Sequence, residues 1–445
     1  MGKFTKDTII TFIARVLNLV LVLGASIVVA RVLGPEGKGI YSLAILLPML
    51  LITFTNPGIG PASVYYIGKK KYLPKEIFGN NIIFSSLVSV FAIIVGLIVI
   101  FFFSNSLFPG VEKEYLFLAL SLLPFHIFLN FIIDILLGLQ KFKKYNLVNL
   151  LRTFTFLILI VIFLLGFHFG TKSAIIAQAI SFFLAGVPLF FWVKKETNGI
   201  SFKFNKLYFR DFSLYGGKIY LANILSFLRK RVDMFLVNIF LNPLAVGLYS
   251  IAVGLAEKIW LISQSAGLVL FPRVSSETDK KKLKQFTPLV CRNILFITLI
   301  GAVLFFFLSD WIITLFYSKA FSDSILPLKI LLIGTVAISG SIAMSNDIAG
   351  RGKPIINAYI GAVSVIINII LNIIWIPKFG IIGASWATAV SYTVLFIITV
   401  FVYSKISGNR IRDVIFIKKS DFRFYKNFLI LFKNKYLNYS NHKTK

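Results

Sequence analysis

Between Asn80 and Phe103 the chain carries no charged side chain. At 1.5 Å per helical residue that stretch is long enough to cross the ~30 Å hydrocarbon core of a bilayer. Runs of this kind recur along the whole chain. We read roughly twelve, at 8–33, 40–66, 80–103, 115–139, 146–168, 172–193, 214–241, 244–271, 287–308, 325–349, 355–376 and 380–403. Their junctions are short and built from helix stops: GPEGKG at 34–39, Asn242-Pro243, and Pro377-Lys378-Phe379-Gly380. Composition agrees. The chain is 58% hydrophobic and 14% charged, where a soluble domain has about half and about a quarter. The expected fold is an all-α integral membrane protein.

The net charge of +30 would suggest nucleic acid in a soluble protein, but its placement removes that partner. With the N-terminus inside, the inner side holds Lys3 and Lys6; Lys69, Lys70, Lys71 and Lys75; and Lys141, Lys143 and Lys144. It also holds Lys194, Lys195, Lys203, Lys206 and Arg210; Arg273, Lys280, Lys281, Lys282 and Lys284; Arg351 and Lys353; and the basic tail after Ser404. The outer side has Arg31, Lys38, Lys113, Lys172, Lys319 and Lys378. Cations spread over many short inner loops follow the positive-inside rule and place both termini in the cytoplasm. In the tail, Phe424, Phe428, Phe432 and Tyr436 recur every four residues among Arg423, Lys426, Lys433 and Lys435. That pattern suits an interfacial amphipathic helix on anionic lipid, or a frayed basic terminus.

Two strings repeat. Pro35-x-x-x-Gly39-x-Tyr41-Ser42-x-Ala44 returns as Pro243-x-x-x-Gly247-x-Tyr249-Ser250-x-Ala252, an offset of 208 residues. Phe169-Gly170-x-x-x-Ala174-x-x-Ala177-x-Ala179-x-Ser181 returns as Phe379-Gly380-x-x-x-Ala384-x-x-Ala387-x-Ala389-x-Ser391, an offset of 210. Six spans separate the copies, so both halves enter from the same side, as in a parallel repeat. The expected organisation is an N-terminal six-helix lobe at 1–200, a C-terminal six-helix lobe at 201–403 and a cytoplasmic tail at 404–445, with a cavity between the lobes. The small residues of the repeat also let helices approach closely.

Charges inside spans cost about 2.5–3.5 kcal/mol each and as a rule face protein or water. Arg229, Lys230 and Arg231 fall near the midpoint of the seventh span with Asp233 beyond them. They cover about 200° of arc and cannot share one face. Arg229 could pair with Asp233 at i, i+4, or the span could be broken there. Arg15 and Asn18 share a face of the first span, where Arg15 could also snorkel. Arg152, near the inner end of the fifth span below Asn146 and Asn149, is read as a snorkelling residue. Asn357, Gly361, Ser364, Asn368 and Asn372 form a polar stripe that would suit interhelical hydrogen bonds or a hydroxyl-rich substrate. Asp134, Asp233, Glu257 and Asp347 could carry H⁺ or Na⁺, or balance the surplus cations; partnership with a cation is favoured for Asp233.

Absences narrow the chemistry. One cysteine, Cys291, and three scattered histidines, His126, His168 and His442, offer neither a disulfide framework nor a metal site. GPEGKG and GRGKP only approach a phosphate-binding loop, so no cofactor and no ATP use is expected. The drive would be a gradient or the membrane potential. Guanidinium groups match phosphate geometry, which points to an anionic substrate.

The string ARVLGPEGKGIYSLAI, followed by NPGIG at 56–60, resembles the first helices of polysaccharide-biosynthesis (Wzx-type) flippases. The second half agrees at DMFLVNIFLNPLAVGLYSIAVGLAE, from Asp233, and at FPRVS, 271–275. The resemblance implies the multidrug/oligosaccharidyl-lipid/polysaccharide (MOP) flippase superfamily and a secondary transporter of two six-helix lobes with alternating access. The implied activity moves polyprenyl-diphosphate-linked oligosaccharide, a repeat unit of O-antigen, capsule or exopolysaccharide, from the inner to the outer leaflet of the bacterial cytoplasmic (inner) membrane. Membrane lipids, and a polymerase and glycosyltransferases of the same pathway, are the implied partners. Arg15, Arg229 and Arg231 fit the family's cavity cations by location, and Lys230 sits between two of them. Two readings compete: a multidrug exporter, which would want acidic groups in its cavity, and a lipid II flippase, a group that usually has fourteen spans. An enzyme such as a glycosyltransferase would need a larger outer segment than 104–114 or 309–324 provides.

Overall fold

The computed structural model describes residues 3–167, 169–203, 206–276 and 279–421. His168, His442 and the aromatic stripe from Phe424 to Tyr436 lie outside the described residues. Among those described, the architecture is helical without strands. The helices are α1 (Lys3–Thr55), α2 (Ile59–Gly68), α3 (Pro74–Ile98), α4 (Ser104–Leu107), α5 (Lys113–Leu120), α6 (Leu123–Gly138), α7 (Phe142–Ile160) and α8 (Gly170–Glu196). They continue as α9 (Lys206–Phe240), α10 (Pro243–Ala256), α11 (Trp260–Ser276), α12 (Lys280–Ile312), α13 (Ile325–Gly350), α14 (Pro354–Ser407) and α15 (Ile411–Ile415).

Nine described segments are long and apolar enough to cross a membrane. Two of them hold two spans each. Within α1, Gly34 takes φ 68° and ψ −179°, and Pro35 starts the next helix. Within α14, Gly380 takes φ 58° and ψ −140° three residues after Pro377. Only glycine enters that region without steric cost, and proline begins a helix well because its missing N–H is not needed there. The span expected at 214–241 corresponds to α9, which is 35 residues long but too charged to count by apolarity.

Some expected boundaries move. The second span stops at Thr55 rather than 66, because Asn56-Pro57-Gly58 forms a turn. The Asn56 side-chain oxygen accepts the Gly58 and Ile59 N–H groups at 2.9 and 3.3 Å, and Gly58 has φ 81°. The span expected at 115–139 is two helices, α5 and α6, with Pro124 in the first turn of α6. The span at 244–271 is interrupted by a tight turn at Glu257–Ile259.

By packing, the described residues form two compact units. One comprises residues up to Ala252 with Asp310–Pro327 and Ile369–Ala384; the other comprises Val253–Ser309, Leu328–Asn368 and Ser385 onward. The first unit contains the α1–α7, α7–α8, α3–α6 and α2–α6 contacts. Its core includes Leu43, Leu47, Phe131, Ile132, Leu164 and Leu189, all sealed from solvent. The second unit centres on Cys291, Ala343, Met344, Ile348, Tyr403 and Val414. Here the first part of the tail is tied down: Asp421 receives a bidentate bond from Arg292, with the second contact at 2.6 Å.

The repeat has a physical signature inside the first unit. A Cβ on Gly39 would lie 1.7 Å from the Pro243 carbonyl oxygen, and one on Gly247 would lie 1.8 Å from the Pro35 carbonyl oxygen. The repeated serines, Ser42 and Ser250, approach to 3.5 Å. Each copy therefore packs its glycine on the other's proline. The repeated tyrosines also act alike: Tyr41 donates to Gln178, and Tyr249 donates to Asp233 at 2.7 Å. Gly170 and Gly380, the second repeated pair, take φ 70° and 58°.

Candidate functional site

Polar groups cluster where α1, α6 and α7 meet. Tyr145, Asn149 and Arg152 recur on α7 at the spacing that puts them on one face, with Thr153 adjoining it. The Thr153 hydroxyl donates to the Asn18 side-chain oxygen of α1 at 2.7 Å, and Asn146 donates to the Thr11 hydroxyl at 3.0 Å. These bonds fix α1 against α7 and hold Arg15, half-buried, on the same helix as Asn18. Arg15, Arg152 and Asp134 all lie within electrostatic range of Tyr145. Asp134 packs on α2, where a Cβ at Gly60 would come within 2.1 Å of its carboxylate oxygen. Glycine at position 60 is what leaves the carboxylate room.

Arg152, expected to snorkel, finds an aromatic partner inside the first unit. Its guanidinium sits 5.1 Å above the Phe182 ring of α8, and the His126 ring of α6 lies tilted by 31° against that same phenylalanine at 4.2 Å. Sequence reading missed this trio because the aromatic partner comes from another helix. The available signal was the spacing Tyr145, Asn149, Arg152, which marks a polar stripe. Ion pairs among the described residues include Lys71–Asp211, Lys141–Glu196, Lys144–Glu196, Lys172–Glu114, Arg292–Asp421, Arg351–Asp347 and Lys418–Asp413. None of these pairs engages Arg15, Arg152 or Asp134.

A second group of cations lies on α9. Arg229, Lys230 and Arg231 are half-buried, and Arg231 donates to the Lys230 carbonyl at 3.0 Å. Asp233 is 2% exposed; its two oxygens accept the Tyr249 hydroxyl at 2.7 Å and the Met234 N–H at 2.8 Å. It thereby joins α9 to α10.

The remaining candidates sit elsewhere. Asp347 is fully buried on α13, accepts the Thr287 hydroxyl at 2.5 Å and pairs with Arg351. Asn368 is sealed on α14 and bridges Thr388 and Ser391 at 3.3 Å each. Asn372 is sealed on the same helix, and Glu257 is half-buried in the turn between α10 and α11. No group of three or more metal-ligating residues occurs among the described residues.

Comparison with known proteins bears on the family and the fold of the chain. The family described as polysaccharide biosynthesis protein matches residues 4–278, and the MatE family matches 219–374. A Shigella flexneri protein named as an O-antigen transporter is 25% identical over 81% of this chain and 88% of its own length. A Haloferax volcanii protein named as a low-salt glycan biosynthesis flippase is 30% identical over 37% of this chain and 35% of its own. Among solved structures, the lipid II flippase MurJ in an inward closed conformation superposes with a TM-score of 0.74 at 21% identity, covering 98% of this chain and 93% of that one. At that identity the likeness concerns the fold.

Proposed function

The chain belongs to the polysaccharide biosynthesis protein family, and from that membership we propose that it flips a polyprenyl-diphosphate-linked oligosaccharide from the inner to the outer leaflet of the cytoplasmic membrane. It is a multi-pass membrane transporter of the MOP flippase superfamily. The proposal adds the substrate and the means of holding it: cations of the spanning helices receive the diphosphate in a cavity open to one side at a time.

The observation that carries this reading is the charge imbalance within the spanning helices. Arg15, Arg152, Arg229, Lys230 and Arg231 stand there half-buried, beside the candidate acids Asp134, Asp233, Glu257 and Asp347, of which Asp347 is paired with Arg351. Cations at that depth are costly unless they face protein or water, and guanidinium forks suit phosphate oxygens. Moving negative charge out of an inside-negative compartment gains roughly 2.3 kcal/mol per charge per 100 mV. The potential, with H⁺ or Na⁺ exchange at a carboxylate such as Asp134, is the drive we assign; neither ATP nor another cofactor enters. The sealed Asn368 and Asn372 fit helix packing better than sugar contact. A cationic-drug exporter would need the opposite sign of charge. Enzymes that build and polymerise the repeat unit are the partners this role requires.

The test is reconstitution with a fluorescent polyprenyl-diphosphate oligosaccharide. The double variant Arg229→Ala/Arg231→Ala should be made and inserted normally yet lose flipping. Full activity in that variant would remove both residues from the site.

A further inference from the structure

The flank of the first unit carries a groove of about 260 Å³ between α6 and α8, walled by Phe125, Phe128, Phe182, Phe183, Phe190 and Phe191. Gly186 and Val187 also line it. The walls are ordered: Phe125 meets Phe183 edge-on at 5.4 Å, and Phe182 is held from behind by Arg152 and His126. Gly186 leaves open the space that a side chain there would fill; a Cβ at that position would stop 3.7 Å from the Phe128 ring. Exposed apolar side chains are common along the described spans, but a concave, phenyl-lined face on two helices is a different surface.

Charge tells what fits it. Phe183, Val187, Phe190 and Lys194 follow one another at steps of four, three and four residues, so they form a single stripe on α8. The stripe ends, one turn past the last groove phenylalanine, at an exposed ammonium. Lys195 adjoins it, also exposed, and the same end of the α7–α8 pair carries Lys143, exposed as well. The positive-inside orientation puts this end at the cytoplasmic surface. The groove therefore runs from a basic inner rim about 12 Å along α8, from Phe190 to Phe182, towards mid-membrane. That is the shape and polarity of an inner-leaflet lipid with a strongly anionic head.

We propose that the α6–α8 groove seats the polyprenyl chain of a diphosphate-bearing lipid while its head rests on Lys194 and Lys195, as a docking site from which the substrate enters. The inference rests on the substrate class proposed above. In hydrocarbon the hydrophobic effect adds nothing between apolar surfaces, so the chain is held by van der Waals fit. Phenyl faces offer flat isoprene units a matching surface, and the head supplies the electrostatic attraction that ordinary lipids, with one charge or none, supply less of.

The full-length protein in phosphatidylcholine nanodiscs, titrated with a fluorescent polyprenyl diphosphate, tests this. Gly186→Leu fills the groove with a residue that also favours a helix, and Lys194→Glu reverses the rim. Each should weaken binding about tenfold or more, while Phe102→Ala, at an exposed phenylalanine outside the groove, leaves it unchanged. Phosphatidylglycerol and inorganic pyrophosphate should compete poorly. Unchanged binding in Gly186→Leu, or equal competition by phosphatidylglycerol, overturns the proposal. If groove variants bind normally while the wild type flips glycan, the groove fails and the flippase reading stands. If the wild type binds through the groove yet moves no glycan, the flippase reading fails and the groove stands.

Discussion

Replacing Gly39 with alanine would put a methyl carbon 1.7 Å from the Pro243 carbonyl oxygen, and replacing Gly247 would put one 1.8 Å from the Pro35 oxygen. Ordinary contact begins at 3.4 Å, so each variant must open this contact by more than 1.5 Å. A gap of even 0.5–1 Å forfeits a quarter to a half of a dispersion contact. Overpacking costs typically about 1–3 kcal/mol, and here the obstacle is backbone, which cannot rotate away. Against this, alanine gains about 1 kcal/mol over glycine in a helix. With the overpacking cost at the upper end of its range, the net expectation is a loss of about 2 kcal/mol for either variant. Gly217, with nothing within 4 Å of its Cβ position, is the control, and Gly217→Ala should be neutral or stabilising. The double variant Gly39→Ala/Gly247→Ala should cost less than the sum, because one displacement relieves both clashes. Thermal unfolding in detergent, followed by binding of a thiol dye to the sealed Cys291, reads these differences. Equal midpoints for Gly39→Ala and Gly217→Ala, or strict additivity in the double variant, would refute the reciprocal contact.

Three further outcomes are expected. Asp421→Asn strips the charge partner from Arg292, whose side chain is only 9% exposed; losing one member of a buried pair should cost about 3–5 kcal/mol, read by unfolding of the full chain. The Lys71 ammonium, and then the Tyr72 hydroxyl, hold the Asp211 carboxyl below the usual carboxylate range. Its contribution is thus complete above about pH 3.9 and fades as pH falls through the lower folded value, so hydrogen exchange in α2 should rise in acid and Asp211→Asn should abolish that rise. A cysteine at Lys38 should react with an impermeant thiol reagent from outside and one at Lys143 should not, with the buried Cys291 giving little background; the reverse pattern would invert the topology.

Much of the fold was legible because lipid leaves few options. Spans must be apolar and helical, so hydropathy found them, and Gly34 and Gly380 marked the two bends hidden inside continuous helices. The repeat was legible for the same reason that it matters: Gly39 and Gly247 touch each other's prolines, and no other residue fits there. Turn chemistry was misjudged at Asn56-Pro57-Gly58, where an apolar run continues through a chain reversal and hydropathy cannot register it. The site was harder. Arg152 looked like a snorkelling residue because its depth was readable and its neighbour Phe182, thirty positions on, was not. Asp134 gave no sign that Gly60 of another helix makes its room. Asp347 and Arg351 lie one turn apart, yet the Thr287 hydroxyl that completes their bonding comes from α12.

The central claim is that the cations in the spanning helices act on a diphosphate. Its most direct measurement is translocation, in proteoliposomes, of one fluorescent glycan carried either on polyprenyl diphosphate or on a neutral polyprenyl ether. The account predicts that only the diphosphate form crosses, and faster when the compartment it leaves is held negative. Equal rates for the two carriers, or indifference to the potential, would contradict it.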